Sequence, residues 1–292
     1  MKEIIVTKND ANQRVDKFLL KTFPNLSKSM MYKAIRNKKI KVNRKRCTFD
    51  QKLVEEDHIL LFLPPDVLEE KERKILKSLP LDIVYEDENI LIVDKPVGLR
   101  SQKDIKGTQD CLVSRIQSYL YEKNEWNPDI EHAFAPTICH RLDRNTSGLV
   151  IAAKNAEALR KVNESIKNHK VHKFYRAWVE GNLTKPFYPM EYYLKKEGTM
   201  ALVSKVKKPG FVKAKMNVRV LQRKKDRTYI EVELLTGRFH QIRALMAFIG
   251  HPLCKDRKYG SKEKGQYELD AYRIIIDVDL PLKQNVFEKK PK

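Results

Sequence analysis

The sequence has only four cysteines, at 47, 111, 139 and 254, too far apart for a Cys-x-x-Cys ligand pair or a dense disulfide framework. They read as reduced thiols. Acidic residues are also short. Against 59 Lys and Arg stand 38 Asp and Glu, leaving +21 at pH 7, an excess that calls for a polyanionic partner, nucleic acid ahead of an anionic membrane. Long apolar runs are missing: residues 59–63 and 244–249 are among the longest and fall far short of the roughly 20 that cross a bilayer. With no apolar segment ahead of a small-residue cleavage site near the start, the expectation is a cytoplasmic protein that spans no membrane. Gly-x-Gly-x-x-Gly, Gly-x-x-x-x-Gly-Lys, Gly-x-Ser-x-Gly and the paired His-x-Glu and Cys-x-x-Cys of zinc deaminases are all absent. No metal or nucleotide cofactor is expected, so any chemistry must come from side chains.

What is present is 292 residues, 41% of them hydrophobic, enough for about two domains with real cores. Residues 11–46 hold twelve Lys or Arg against one acid, Asp16. Val15, Phe18, Leu19 and Phe23 fall at helical spacing, and a second helix starts at the N-cap Ser27 with Met30, Met31 and Ile35 as its apolar stripe. Ile40 and Val42, then residues 59–63, read as short strands around a basic turn at 43–46. Lys28, Lys33, Arg36, Lys41 and Arg44 can thus lie along a phosphate backbone; a solvated charged face is the plainer alternative. Pro64-Pro65 ends this unit. Residues 64–80 are a mixed-charge linker with a short helix. A larger domain is expected over 81–283 and a basic tail over 284–292. Within it, residues 90–93 and 149–153 read as buried strands, the second followed by a helix patterned on Leu159, Val162 and Ile166. Residues 213–220 alternate strictly, and Ile230, Val232 and Leu234 repeat the pattern, which predicts an antiparallel hairpin. A helix is expected from about 240 to 249, with Gly250 at its C-terminal end.

The densest polar cluster is His140-Arg141-Leu142-Asp143-Arg144-Asn145-Thr146-Ser147-Gly148, just ahead of a buried strand. An Asp between two arginines is biased toward its ionised form and can serve as nucleophile or base; it can equally be salt-bridged in a structural turn. Tyr175, on one strand face with Ala177 and Val179, can stack on a base or simply fill a core.

Two resemblances resolve these alternatives. Residues 14–19, Leu26-Ser27-Lys28-Ser29 and Ile40-Lys41-Val42-Asn43 resemble the RNA-binding domain named after ribosomal protein S-four, over about residues 11–63. The glycine expected ahead of Ile40 is replaced by Lys38 or Lys39. His-Arg-Leu-Asp-x-x-Thr-Ser-Gly-Leu resembles the signature of the RluA family of RNA pseudouridine synthases. It is joined in family order by Asp94-Lys95-Pro96-x-Gly98-Leu99, Lys173-x-Tyr175-x-Ala177-x-Val179-x-Gly181, Leu235-Thr236-Gly237-Arg238-x-His240-Gln241-Ile242-Arg243 and Gly250-His251-Pro252.

The resemblance implies an α+β enzyme with a mixed, mainly antiparallel sheet. It implies isomerisation of uridine to pseudouridine without cofactor; separately, a monomer is expected. The implied RNA is ribosomal, with tRNA second; a non-catalytic RNA-binding or assembly factor and an RNA N-glycosidase are the rival classes. Asp143 takes the catalytic carboxylate position, Tyr175 that of the active-site tyrosine, and Arg243 that of an arginine pairing with the catalytic Asp. Arg141 occupies the position proposed to fill the gap left by an extruded base, and His140 and His240 are assigned no role as general base. Arg100-Ser101-Gln102 departs from the family, where an apolar residue and a histidine are usual, and is expected to bear on the choice of RNA.

Overall fold

The computed structural model describes residues 1–70, 75, 79–104 and 109–289. The leading unit is a four-stranded antiparallel sheet under two helices. In chain order it contains β1 (Lys2–Ile5), α1 (Val15–Thr22), α2 (Lys28–Arg36), β2 (Ile40–Val42), β3 (Lys45–Arg46) and β4 (His58–Leu61), with the strands ordered β1-β4-β2-β3. Val15, Phe18, Leu19, Phe23 and Met31 are fully buried between helices and sheet, each contributing about 1.5–3 kcal/mol. Ser27 caps α2 as expected, accepting from the Met30 N–H at 3.3 Å. Met30 does not join the stripe: it is 41% exposed, and Ala34 takes its place beside Met31 and Ile35. β1 lies ahead of the boundary expected at 11 and completes this sheet, while Val67 and Leu68 from a single 3-10 turn at Pro65–Leu68 close its core. Of the expected linker, residues 71–74 and 76–78 lie outside the described residues.

Lys38 solves the glycine problem at a cost. It sits at φ 60° just past the end of α2, where its N–H bonds to the Ile35 carbonyl (3.0 Å) and the Lys39 N–H reaches back to the Ala34 carbonyl (2.9 Å). This is the helix stop that glycine ordinarily makes, because only glycine enters the left-handed region without a Cβ penalty. Lys38→Gly is therefore expected to raise stability by about 0.5–1 kcal/mol in chemical denaturation; an unchanged or lower midpoint would refute this account of the turn.

The second unit is built on an eleven-stranded sheet. Its strands are β5 (Asp82–Glu86), β6 (Ile90–Lys95), β7 (Thr137–Ile138), β8 (Ser147–Ala153), β9 (Val171–Glu180), β10 (Phe187–Glu197), β11 (Met200–Ser204), β12 (Val212–Lys224), β13 (Arg227–Leu234), β14 (Leu269–Ile276) and β15 (Val286–Glu288). The order is β11-β10-β12-β13-β9-β14-β8-β6-β5, with β7 on β8 and β15 on β14; among the described residues only the β14–β8 pairing is parallel. The predicted hairpin is β12–β13, longer than expected, turning at Lys225 and Asp226. α3 (Leu112–Glu122) and α5 (Gln241–Phe248) pack on the face carrying Tyr175, Ala177 and Val179, and α4 (Ala156–Lys167) covers the face carrying Ile90, Ile92 and Ile151.

Gly148 marks the point where β8 meets β14. A Cβ there would stand 2.3 Å from the Ala271 carbonyl oxygen, so no other residue fits that crossing. Within the stretch expected as a basic tail over 284–292, residues 286–288 join the sheet: β15 pairs with β14, and the Lys289 ammonium binds Asp94 at 2.7 Å and Asp270 at 2.9 Å, while residues 290–292 lie outside the described residues.

The two units are joined by a buried carboxylate. Asp10, fully buried between β1 and α1, accepts the consecutive backbone N–H groups of His132, Ala133 and Phe134 at 2.8, 2.9 and 2.8 Å. Asn9 adds bonds to Glu131 and to the Ala156 N–H. Among the described residues no helix is long and apolar enough to cross a membrane. All four cysteines are free, as expected.

Candidate active site

Asp143 lies in the loop between β7 and β8, and the backbone on both sides of it is held. The buried Ser101 hydroxyl donates to the Leu142 carbonyl (2.6 Å) and accepts the Leu142 N–H (3.1 Å). On the other side the Arg144 carbonyl accepts from the Gly98 N–H (2.9 Å) and from the Lys95 ammonium (3.2 Å). Lys95 is fully buried and spends its remaining protons on the carbonyls of Pro96 and Leu99, both at 2.9 Å. Burial pulls its pKa down to about 8, with Asp143 and Asp94 opposing, which leaves it charged at pH 7. Ser101, expected to help choose the RNA, is thus committed to the Asp143 loop. Its neighbour Arg100 pairs with Asp104.

The Asp143 carboxylate is 25% exposed and faces a small cavity of about 70 Å³ lined by Arg141, Tyr175, Arg238, His240, Arg243 and Leu269, among others. Burial raises its pKa; Arg243, then Arg141, then Lys95 oppose, and Asp256 adds to the rise. Tyr175 is buried on the core face of β9, and burial plus the nearby Asp143 hold its phenol protonated far above the ordinary tyrosine range. Arg141 is exposed at the cavity mouth.

One expectation is corrected. Arg243 does not pair with Asp143. Its guanidinium is gripped bidentately by the buried Asp256, Nε to Oδ2 at 2.7 Å and Nη2 to Oδ1 at 2.8 Å. The reason is geometric: Asp256 opens the one-turn 3-10 helix Arg257–Tyr259 and meets the guanidinium fork with both oxygens, while His240 fills the space toward Asp143.

His240 stands at φ 51° at the start of α5, with Nε2 3.7 Å from an Asp143 oxygen. Arg243 Nη1, 3.0 Å from Nε2, can only donate, so Nε2 accepts and the Nδ1–H donates to the Tyr259 hydroxyl at 2.8 Å. Burial first, then Arg243, Lys258 and Lys196, pull the ring's pKa down to about 3, so it is neutral and its approach to Asp143 is not an ion pair. The other motif side chains support the frame. The Gln241 oxygen accepts from the Thr236 hydroxyl and the Arg238 N–H, and its amide donates to the Lys215 carbonyl, fixing the loop ahead of α5. His140 Nε2 accepts the Ile151 N–H, and burial pulls its pKa down to about 3.

Lys28, Lys33, Arg36 and Arg44 are exposed on α2 and the β2–β3 turn, and Lys41 is half-buried with its ammonium 5.7 Å from the Phe62 ring centre. These five lie in the leading unit, apart from the cavity. Asn43 and Arg44 both adopt left-handed backbone, as a two-residue hairpin turn requires.

Sequence reading gave no role to Lys95 and missed Asp256, Tyr259 and Tyr267, whose rings flank the Arg243 guanidinium at 4.9 and 4.4 Å. A signal was there: an Asp three residues ahead of Tyr-Gly, directly after the α5 motif.

The RNA pseudouridylate synthase family model matches residues 89–248, more than half of the chain, and the S4 domain model matches residues 13–59. The chain belongs to the RNA pseudouridylate synthase family. It is 34% identical over 283 residues to an uncharacterized RNA pseudouridine synthase of Mycoplasma capricolum, covering 94% of this chain and 91% of that one. It is 32% identical over 271 residues to ribosomal large subunit pseudouridine synthase C of Buchnera aphidicola, covering 89% and 81%. In fold it is similar to human RNA pseudouridylate synthase domain containing 1, with a TM-score of 0.57 at 20% identity over 73% of this chain and 84% of that one. The protein is therefore an isomerase, an RNA pseudouridine synthase with an α+β catalytic unit and an RNA-binding S4 unit ahead of it.

Proposed function

We propose that this synthase modifies uridines in large-subunit ribosomal RNA and that Asp143 carries the reaction without a cofactor. The observation that bears this reading is the Asp143 carboxylate itself. It is partly open to a small cavity, rigidly held through its backbone, free of a direct ion pair, and surrounded by three cations. Burial sharpens such a carboxylate as nucleophile or base, and the cations oppose the rise in its pKa that burial brings.

In the proposed course the bond between ribose C1′ and uracil N1 breaks with Asp143 acting on the sugar. The detached base turns so that C5 faces C1′, the C5–C1′ bond forms, and the C5 proton leaves while N1 takes up a proton. Tyr175 lines the cavity where the turned base would stack, and Arg141 stands at its mouth, where the gap left by an extruded base would open. The ribosomal assignment rests on the similarity to large-subunit synthases and on the basic leading unit.

The test uses large-subunit rRNA and tRNA carrying tritium at uridine C5. Label released to water from intact rRNA supports the reading; release from tRNA alone reassigns the substrate. Free labelled uracil would mean a glycosidase, and no release from either RNA would overturn catalysis. For the leading unit, neutralising Lys33, Arg36 and Lys41 together is expected to weaken RNA binding. It should also flatten the plot of log affinity against log salt by about 2–3 units of slope, at roughly 0.7–0.9 per phosphate contact. An unchanged slope would show that these residues do not hold the RNA.

A further inference from the structure

We propose that Asp256 is a positioning residue for the isomerisation: it takes the bidentate grip of Arg243, so that the guanidinium charge stands beside Asp143 without occupying its oxygens. The inference rests on the reading of Asp143 as the reacting carboxylate. A guanidinium that forked directly onto Asp143 would keep it ionised but engage the lone pairs the sugar needs. Here Asp256 absorbs that fork, with both partners almost fully buried, and Asp143 keeps the charge nearby and its oxygens free.

The arrangement closes on itself. The Asp256 carbonyl accepts the N–H groups of Tyr259 (2.9 Å) and Ser261 (3.2 Å), which fixes its backbone. The Tyr259 hydroxyl takes the His240 Nδ1–H and the Ala201 N–H, both at 2.8 Å. His240 Nε2 then accepts from Arg243 Nη1, and Arg243 returns to Asp256. A loop of contacts of this kind has one arrangement, and it presents the neutral His240 edge to Asp143 rather than the guanidinium fork. The charged and titratable groups facing Asp143 are Lys95 at the end of β6, Arg141 of its own loop, Tyr175 of β9, Arg238 and His240 just ahead of α5, Arg243 of α5, and Asp256, Tyr259 and Tyr267 beyond them.

Asp256→Asn offers the fork one acceptor and one repelling amide, so the guanidinium turns toward the remaining carboxylate, Asp143. The test follows the Asp143 carboxyl carbon by NMR titration without RNA, alongside the pH profile of tritium release. In Asp256→Asn the Asp143 midpoint and the acid limb of kcat/KM are both expected to move to lower pH. Turnover should fall about tenfold or more, and KM for RNA should stay within about twofold, because Asp256 is buried and out of reach of RNA. A midpoint and limb unchanged from the parent would overturn the proposal, whatever happens to stability.

Should that variant not fold, Asp256→Glu retains the charge and displaces the fork by one methylene. Its acid limb should stay in place while kcat drops, and parental kcat would overturn the proposal. The NMR readout is independent of catalysis, so turnover surviving in Asp143→Asn would sink the reading of Asp143 while the coupling to Asp256 is still scored.

Discussion

Asp143→Asn is expected to lower tritium release under single-turnover conditions by at least about 10³-fold while RNA affinity stays within about twofold. The substitution removes the anion and preserves the shape. The loop geometry should survive, because Ser101, Gly98 and Lys95 hold the Leu142 and Arg144 backbone and none of them touches the carboxylate. Affinity should survive because binding draws on cations spread over two units rather than on one acid.

The fold should not suffer either. Burial raises the Asp143 carboxyl, so the folded state keeps its proton to higher pH than the unfolded chain. Stability therefore falls as pH rises from the unfolded pKa through the folded one, a loss that Asn does not carry. The expected melting temperature at pH 7 is equal to or above that of the parent. Activity retained to within tenfold would end the assignment; lost affinity would contradict the division between the binding surface and the reacting group.

Asp10→Ala should have the largest effect on the fold. It strips the acceptors from three consecutive N–H groups at a buried junction, and hydrogen bonds to a charged acceptor contribute about 1.5–3 kcal/mol each. Allowing for non-additivity, a loss of about 3–5 kcal/mol is expected. Because the lost contacts join two separate cores, calorimetry should resolve one transition into two. RNA affinity should fall as well. Two surfaces held at a fixed span bind as one, and releasing one surface removes that advantage without removing any RNA contact. A single unshifted transition would show that the junction is held by something other than this carboxylate.

Much of this architecture could be read from residue pattern where the determinant is local. Ser27 announces α2, and strict alternation from 213 to 220 announces β12. β1 and β15 escaped because strands of four and three residues with charged neighbours carry no period of their own; each exists only through its partner, β4 or β14. Residues 140–148 and the HQIR segment mark side chains that the fold brings to one cavity. They could not fix who pairs with whom. Arg243 meets Asp256 rather than Asp143 because the turn after α5 brings a second carboxylate to its fork, a choice of partner that motif spacing does not encode. Lys38 shows the converse, a position where the tertiary frame imposes a backbone that the residue itself disfavours.

The place of β14 has a consequence for how the enzyme comes into being. In the sheet this strand separates β8 from β9, yet it is supplied by residues 269–276, long after both neighbours. Asp143 belongs to the block made first, Tyr175 and Arg243 to the block made next, and Leu269 of β14 lines the hollow between them. During synthesis the S4 unit can already be folded and engaging RNA while the two halves of the catalytic sheet wait unsewn. The catalytic hollow is thus complete only after residues 269–276 have been made.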